Sequence, residues 1–308
     1  MNELLQSPGD QRDPFFSIAL PAYNAASTLD AAIQSVRDQH FGSWELIVVD
    51  DGSTDDTLEV ARAHTRADSR IQVISQPNAG CGAARNTAVE HARAEWIVRF
   101  DADDLLLPDF LGRISEVIAD FPGAEIVSPS GLQRDAEGQD RTWCPDPRYR
   151  EPFDYSLDDA LHGWCPVFTH SAFRHDLWER IGGIRSDCYT EDYDFWVRAL
   201  AAGASGRFFP ESLSVYMVGN TGRMSDRGNR LAASYLDTLE RISDGHTLTP
   251  VSQAAVEARI EQLRRRVAFR SAASKVLGER GSERLSNVLV KAVGWSRRQR
   301  ARFARRRS

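Results

Sequence analysis

Three acidic clusters carry the side chains best suited to chemistry. Asp101-Ala102-Asp103-Asp104 follows the apolar run Trp96–Phe100. Carboxylates two apart at a strand end can share one hard divalent cation, because Mg²⁺ keeps most of its shell as water and phosphate oxygen and takes one or two protein carboxylates. Such an ion offsets charge that builds on a leaving diphosphate. The same residues also read as a solvated acidic turn capping the next helix. Asp50-Asp51-Gly52-Ser53-Thr54-Asp55 follows the buried run Ile47–Val49, and a carboxylate there could accept from a base N–H or a ribose hydroxyl. Ordinary capping accounts for Thr54 and Asp55, but not for two acids directly after an apolar strand. Glu191 and Asp192 open an amphipathic helix with Phe195 and Leu200 toward the core. One of them could act as a general base, although helix N-termini favour carboxylates in any case.

Two less acidic segments accompany them. Pro21-Ala22-Tyr23-Asn24 offers a ring that could pack against a nucleobase, or a plain structural turn. Asn78 to Asn86 is rich in small residues that let a backbone approach an anion at a helix start. Gly80 lies in its loop, and Arg85, about one turn into the helix, could reach phosphate or base.

The elements that must position these groups alternate. Strands are predicted at Phe16–Ala22, Leu46–Val49, Ile71–Ser75, Trp96–Phe100 and Glu125–Ser128. Helices are predicted at Ser27–Gln39 with a Ser27/Asp30 capping box, after an N-cap at Thr54, at Gly82–Ala92, and at Asp109–Phe121 with Pro108 at the first position. Residues 130–170 show no period and are expected to be loops and short strands, with Trp143, Trp164 and Phe168 available to stack on a sugar or to fill the core. Thr190–Ala202 is expected to be helical, and the chain from Ala232 onward helical with breaks near Gly245–Pro250 and Gly278–Gly281. The alternation implies an α/β fold with a mostly parallel sheet flanked by helices. Ligands of such sheets sit beyond the carboxyl ends of the strands, where all four loops of the first half fall.

In order and placement these segments resemble glycosyltransferase family 2, of the GT-A fold, over residues 14–225. The resemblance implies an inverting, metal-dependent transfer from a nucleotide-diphosphate sugar, UDP being the default base with dTDP and GDP as variants. It further implies roles. Ala22, Tyr23 and Asp51 hold base and ribose; Arg85 is a donor-side basic residue; Asp101 lies toward ribose or metal-bound water; and Pro21, Asn24, Asn78, Gly80 and Ala102 complete the donor-binding set. Asp103, with Asp101 and Asp104 beside it, holds Mg²⁺ or Mn²⁺, while Asp192 is the catalytic base and Glu191 its neighbour. Relatives carry a His near Tyr216–Ser225, where this chain has Asn220, with Arg223 close by. The expected units are a flexible stretch 1–13, a GT-A domain 14–228 (donor half 14–128, acceptor half 129–228) and a basic helical extension 229–308. A sugar nucleotidyltransferase would need a Gly-rich basic loop after the first strand, which Pro21–Asn24 lacks. A non-catalytic sugar-nucleotide-binding protein is the remaining alternative.

Composition narrows the setting. Hydrophobic residues make up 42% of the chain and charged residues 27%, as in a globular protein. No apolar run reaches the roughly 18–20 residues of a membrane span, and Met1–Phe15 has no apolar signal core, so a cytoplasmic location is expected. Cys81, Cys144, Cys165 and Cys188 are scattered and read as free thiols. The net charge of −6 conceals a basic end: residues 257–308 hold 16 Lys and Arg against 4 Asp and Glu. That segment could bind an anionic membrane surface, placing the protein peripherally on its cytoplasmic face and suiting a lipid-linked acceptor, or it could simply pack on the domain. A glycan or small molecule would serve equally as acceptor. No nucleic-acid motif accompanies the charge.

Overall fold

The computed structural model describes residues 13–142, 150–161, 170–218, 228–269 and 272. In chain order the elements are β1 (Phe16–Ala22), α1 (Leu29–Arg37), β2 (Trp44–Asp50), α2 (Thr57–Ala67), β3 (Ile71–Ser75), α3 (Cys81–Glu90), β4 (Trp96–Arg99), β5 (Leu105–Leu106), α4 (Phe110–Asp120) and β6 (Ile126–Arg134). They continue with β7 (Asp140–Thr142), β8 (Phe153–Tyr155), α5 (Leu157–Asp159), β9 (Ala172–Arg174), α6 (His175–Arg180), α7 (Glu191–Ala201), β10 (Gly206–Met217) and α8 (Gly228–Gly245). A further helix, α9, spans residues 250–269. Trp143, Trp164, Phe168, Cys144, Cys165, Asn220, Arg223, the break at Gly278–Gly281 and the basic segment from 273 lie outside the described residues.

One sheet runs β3-β2-β1-β4-β9-β6-β10-β5, with β7 on β6 and β8 on β10. Its first four strands are parallel. Beyond β4 it is mixed, because β9 enters antiparallel between β4 and β6 and β10 pairs parallel with β6. The chain moves outward from β1 through β2 to β3, then returns to place β4 on the other side of β1. This reversal opens a crevice at the carboxyl ends.

Alternation along the central strands divides the core. Phe16, Ile18 and Leu20 of β1 and Leu46 and Val48 of β2 pack with α1 and α4. Ala19, Ile47 and Val49 point to the opposite face, with α3, α7 and α8. Leu239 and Ile242 of α8 and Val256, Ile260 and Leu263 of α9 belong to that same buried cluster. One face each of α8 and α9, within the expected extension, is thus packed against the body of the molecule.

Several element boundaries differ from the sequence expectation. The Ser27/Asp30 box does not form: α1 begins after Thr28 with no side-chain cap, and Asp30 Oδ1 lies 3.0 Å from His64 Nε2 of α2. The helix expected after Thr54 begins at Thr57, because the Thr54 N–H is donated to Asn24 Oδ1 at 2.8 Å. Pro108 lies outside α4, whose N-cap is Asp109. The strand expected at Glu125–Ser128 runs on to Arg134, held by β10.

Leu239 is fully buried. Truncating such a leucine costs about 2–5 kcal/mol. Leu239→Ala should therefore lower the stability of the whole domain by that amount in a single urea transition. A wild-type midpoint would show that α8 does not share the core.

Candidate functional site

The loops after β1 and β2 are stitched together by their own polar groups. Asn24 adopts positive φ (50°), its N–H donates to Ser53 Oγ at 3.0 Å, and the Ala25 N–H donates to Thr57 Oγ1 at 2.7 Å. Tyr23 stands out between them, 52% exposed, with its ring free to meet a planar ligand. Pro21 and Ala22 end β1 beneath it, buried.

Asp51 is buried and organises the third loop. Its Oδ1 accepts from Gln76 Nε2 at 2.8 Å and the Ala79 N–H at 2.9 Å, and its Oδ2 from the Gly80 N–H at 2.8 Å. Asn78 Nδ2 donates to the Asp51 carbonyl at 2.9 Å. Gly52 is required at this crossing: its φ is +71°, and a Cβ would stand 2.7 Å from the Asn78 nitrogen.

Arg85, expected to reach outward, is 1% exposed. Its Nη2 donates to Asp101 Oδ1 at 2.8 Å and lies 3.3 Å from Cys81 Sγ, while Nη1 points at the Phe100 carbonyl. It braces the acidic loop from behind. Arg99, which sequence reasoning did not single out, takes the other Asp101 oxygen at 3.2 Å and Glu191 Oε1 at 3.3 Å. Burial opposes charge on Asp101, but Arg99 and then Arg85 outweigh it and hold the carboxyl well below the usual range. Burial likewise opposes charge on Arg99, yet Asp101, Asp192 and Glu191 keep its pKa above the ordinary value. Glu191 is pushed up by burial and then by repulsion from Asp192, and burial raises the Cys81 thiol to about 12. Cys81 and Cys188 are free thiols.

Asp104 is buried. Its Oδ2 lies 3.0 Å from His170 Nε2, and its Oδ1 accepts the Met217 N–H at 2.9 Å. His170 Nδ1 lies 2.8 Å from Ser214 Oγ. His170 also went unrecognised in the sequence, because its segment has no period. Asp101, Asp104 and His170 each bring one ligand atom within 4.8 Å of the others, and Asp103 is half-buried in the same loop, with Ala102 buried beside it. Carboxylate oxygens with one imidazole suit a hard or borderline divalent ion such as Mg²⁺ or Mn²⁺, so the donor set fits a metal.

Asp192 is half-buried in the first turn of α7, and Glu191 buried. The Tyr193 N–H donates to Asp192 Oδ1 at 2.7 Å. Asp194 ties this helix down, accepting from Arg185 at 3.1 Å, Arg198 at 2.7 Å and Thr238 of α8 at 3.0 Å.

A mixed sheet with a polar crevice at a strand-order reversal, walled by acids, defines an α/β fold whose ligand site lies at the carboxyl ends of its strands. Residues 17–182 match the family model described as Glycosyl transferase family 2, and the chain belongs to that family. It is 31% identical to an uncharacterised protein of Mycobacterium tuberculosis over 214 residues, 66% of each chain. It is 40% identical to a chondroitin synthase of Escherichia coli over 107 residues, 35% of this chain and 16% of that protein. The fold resembles the S. aureus TarS fragment 1–349 in complex with UDP-GlcNAc, with a TM-score of 0.67 and 19% identity, covering 85% of this chain and 75% of that one. It also resembles a mannosyltransferase from Pyrobaculum calidifontis in complex with GDP-Man and Mn²⁺, with a TM-score of 0.64 and 22% identity, covering 92% and 81%. The matched segment thus spans about two thirds of the first relative and a small part of the second. Among the described residues no helix is long and apolar enough to cross a membrane.

Asparagine at position 51 would offer one acceptor oxygen where two are used, leaving a backbone N–H of the 78–80 loop without its partner. A typical hydrogen bond contributes about 0.5–1.5 kcal/mol net. Asp51→Asn should lose that much stability in chemical denaturation, with or without a donor nucleotide. An unchanged midpoint would show that Asp51 does not hold the loop.

Proposed function

We propose that the chain is an inverting glycosyltransferase that moves a sugar from a nucleotide-diphosphate sugar, UDP-sugars foremost, onto an acceptor hydroxyl. The observation that carries this is the cross-link of the acidic loop to the first turn of α7, which sets the acids of a donor site beside a half-buried carboxylate, Asp192. In this reading Pro21, Ala22, Tyr23, Asn24 and Asp51 form the wall for base and ribose, and Asn78 and Gly80 shape its floor. Arg85 orients Asp101, which with Ala102 faces the ribose. A bound Mg²⁺ or Mn²⁺ would be held by Asp103, with Asp101 and Asp104 alongside, and would supply charge neutralisation for the diphosphate. Asp192 accepts the acceptor's hydroxyl proton. The freed oxygen forms a bond to the anomeric carbon opposite the diphosphate, the carbon–oxygen bond to the diphosphate breaks, and the nucleoside diphosphate leaves with inversion at carbon.

Thermal shift with UDP-, dTDP- and GDP-sugars, each with and without Mn²⁺, tests the donor site. One base class should stabilise the chain, and more so with metal; no shift with any donor would sink the reading. A positioned base contributes about 10²- to 10⁴-fold in rate. Asp192→Asn should lose that factor in turnover while binding donor normally, whereas Asp103→Ala should lose the metal-dependent part of donor binding. The 16 basic residues of 257–308 support docking on an anionic membrane that presents the acceptor. Co-sedimentation with phosphatidylserine vesicles should fall when residues 285–308 are removed, and equal binding would count against that docking.

A further inference from the structure

Arg99 ends β4 where the sequence is otherwise apolar: Val98 before it and Phe100 after it are fully buried. Its side chain is 6% exposed. Placing a guanidinium there is costly unless several partners compensate, and the partners belong to two distant parts of the chain. Nη1 donates to Asp101 Oδ2 in the acidic loop. Nη2 donates to Glu191 Oε1, 92 residues away at the start of α7. Arg85 parallels it, holding the other Asp101 oxygen and standing 3.8 Å from the same Glu191 oxygen.

The consequence falls on the residue after Glu191. Successive residues of a helix are turned by about 100°. Anchoring the Glu191 side chain inward therefore fixes the azimuth of the first turn, and with it the direction of Asp192, which is less buried than its neighbour. We propose that Arg99 is a positioning residue for the transfer reaction: its planar fork sets the separation and relative orientation of the donor-facing acidic loop and the helix start that carries Asp192. This rests on the glycosyl-transfer reading above. An arginine suits the task and a lysine does not, because two N–H groups in a rigid plane must meet carboxylates on two different elements. A lysine keeps the buried charge but cannot bridge them with fixed geometry.

The full chain with Mn²⁺ and either UDP-GlcNAc or GDP-mannose gives the test. Donor affinity, nucleotide release with water as acceptor, and melting temperature are measured for wild type, Arg99→Lys and Arg99→Ala. Rates are counted per donor-binding molecule, so that a partly folded preparation still decides. A misplaced catalytic group typically costs on the order of 10²-fold. Arg99→Lys should show a kcat lower by about that factor with donor affinity within about threefold of wild type, and guanidinium ion should restore part of the kcat of Arg99→Ala. A variant that melts earlier but keeps wild-type kcat would overturn the positioning role and leave Arg99 a purely structural ion. A wild-type chain that binds none of the UDP-, dTDP- and GDP-sugars sinks the glycosyl-transfer reading instead, and where another of them binds best it replaces these two donors in the same comparison. That outcome is recognisable because the wild type itself then binds no donor.

Discussion

Two guanidinium groups and two carboxylates share a buried space at the carboxyl end of β4, and the site's geometry depends on that arrangement. Arg85, Arg99, Asp101 and Glu191 come from α3, β4, the following loop and α7. Each would be expensive to bury alone. A buried ion pair adds little net stability, because desolvation offsets most of its Coulomb gain, but removing one partner strands the others. What such a set provides is geometry: few arrangements of four charges on four elements leave every charge compensated. The acidic loop cannot drift from α7 without exposing an unpaired group to a low-dielectric interior.

The rest of the crevice repeats this logic with weaker bonds. Asp51 converts a carboxylate into a hub for three donors, two of them backbone groups of the next loop. Asn24 accepts from Thr54 while its own N–H goes to Ser53. Asp104 lies against His170 and accepts the Met217 N–H at the end of β10. Loops that carry many acids would ordinarily repel one another. Here most of the acid oxygens face donors, so the acidity that suits a cation also builds the scaffold.

This explains which parts were legible in the sequence. The strands of the parallel half were, because their buried runs end in polar clusters that no core position would tolerate: Ile47–Val49 before Asp50, and Trp96–Phe100 before Asp101. Helix starts were less so. Thr54 and Asp30 have the chemistry of caps, but their hydrogen-bonding capacity is claimed by Asn24 and His64 across the fold, and local propensity carries no information about partners roughly 30 residues away. Arg99 could have been found from its setting, since an arginine inside an apolar strand requires buried carboxylates. His170 could not, because its segment has neither period nor motif and its role exists only through Asp104 and Ser214.

The position of α8 follows from the same requirement. A helix whose first turn holds the candidate base must be fixed in rotation as well as in place, and one anchor on Glu191 constrains only one side. The same face is fastened one turn further on by Asp194, which accepts from Arg185, Arg198 and Thr238, while on the opposite face Tyr193 packs its ring on Tyr235 of α8 with centroids 4.2 Å apart. Arg185 also donates to Asp237 of α8 at 3.0 Å, and the Arg185 carbonyl lies against Gly82 of α3, where an added Cβ would meet it at 2.9 Å. The helices α3, α7 and α8 are therefore packed as one unit. Sequence composition separates α8 from the sheet domain because it lies beyond the last strand; the packing makes it the outer wall that keeps α7 from turning.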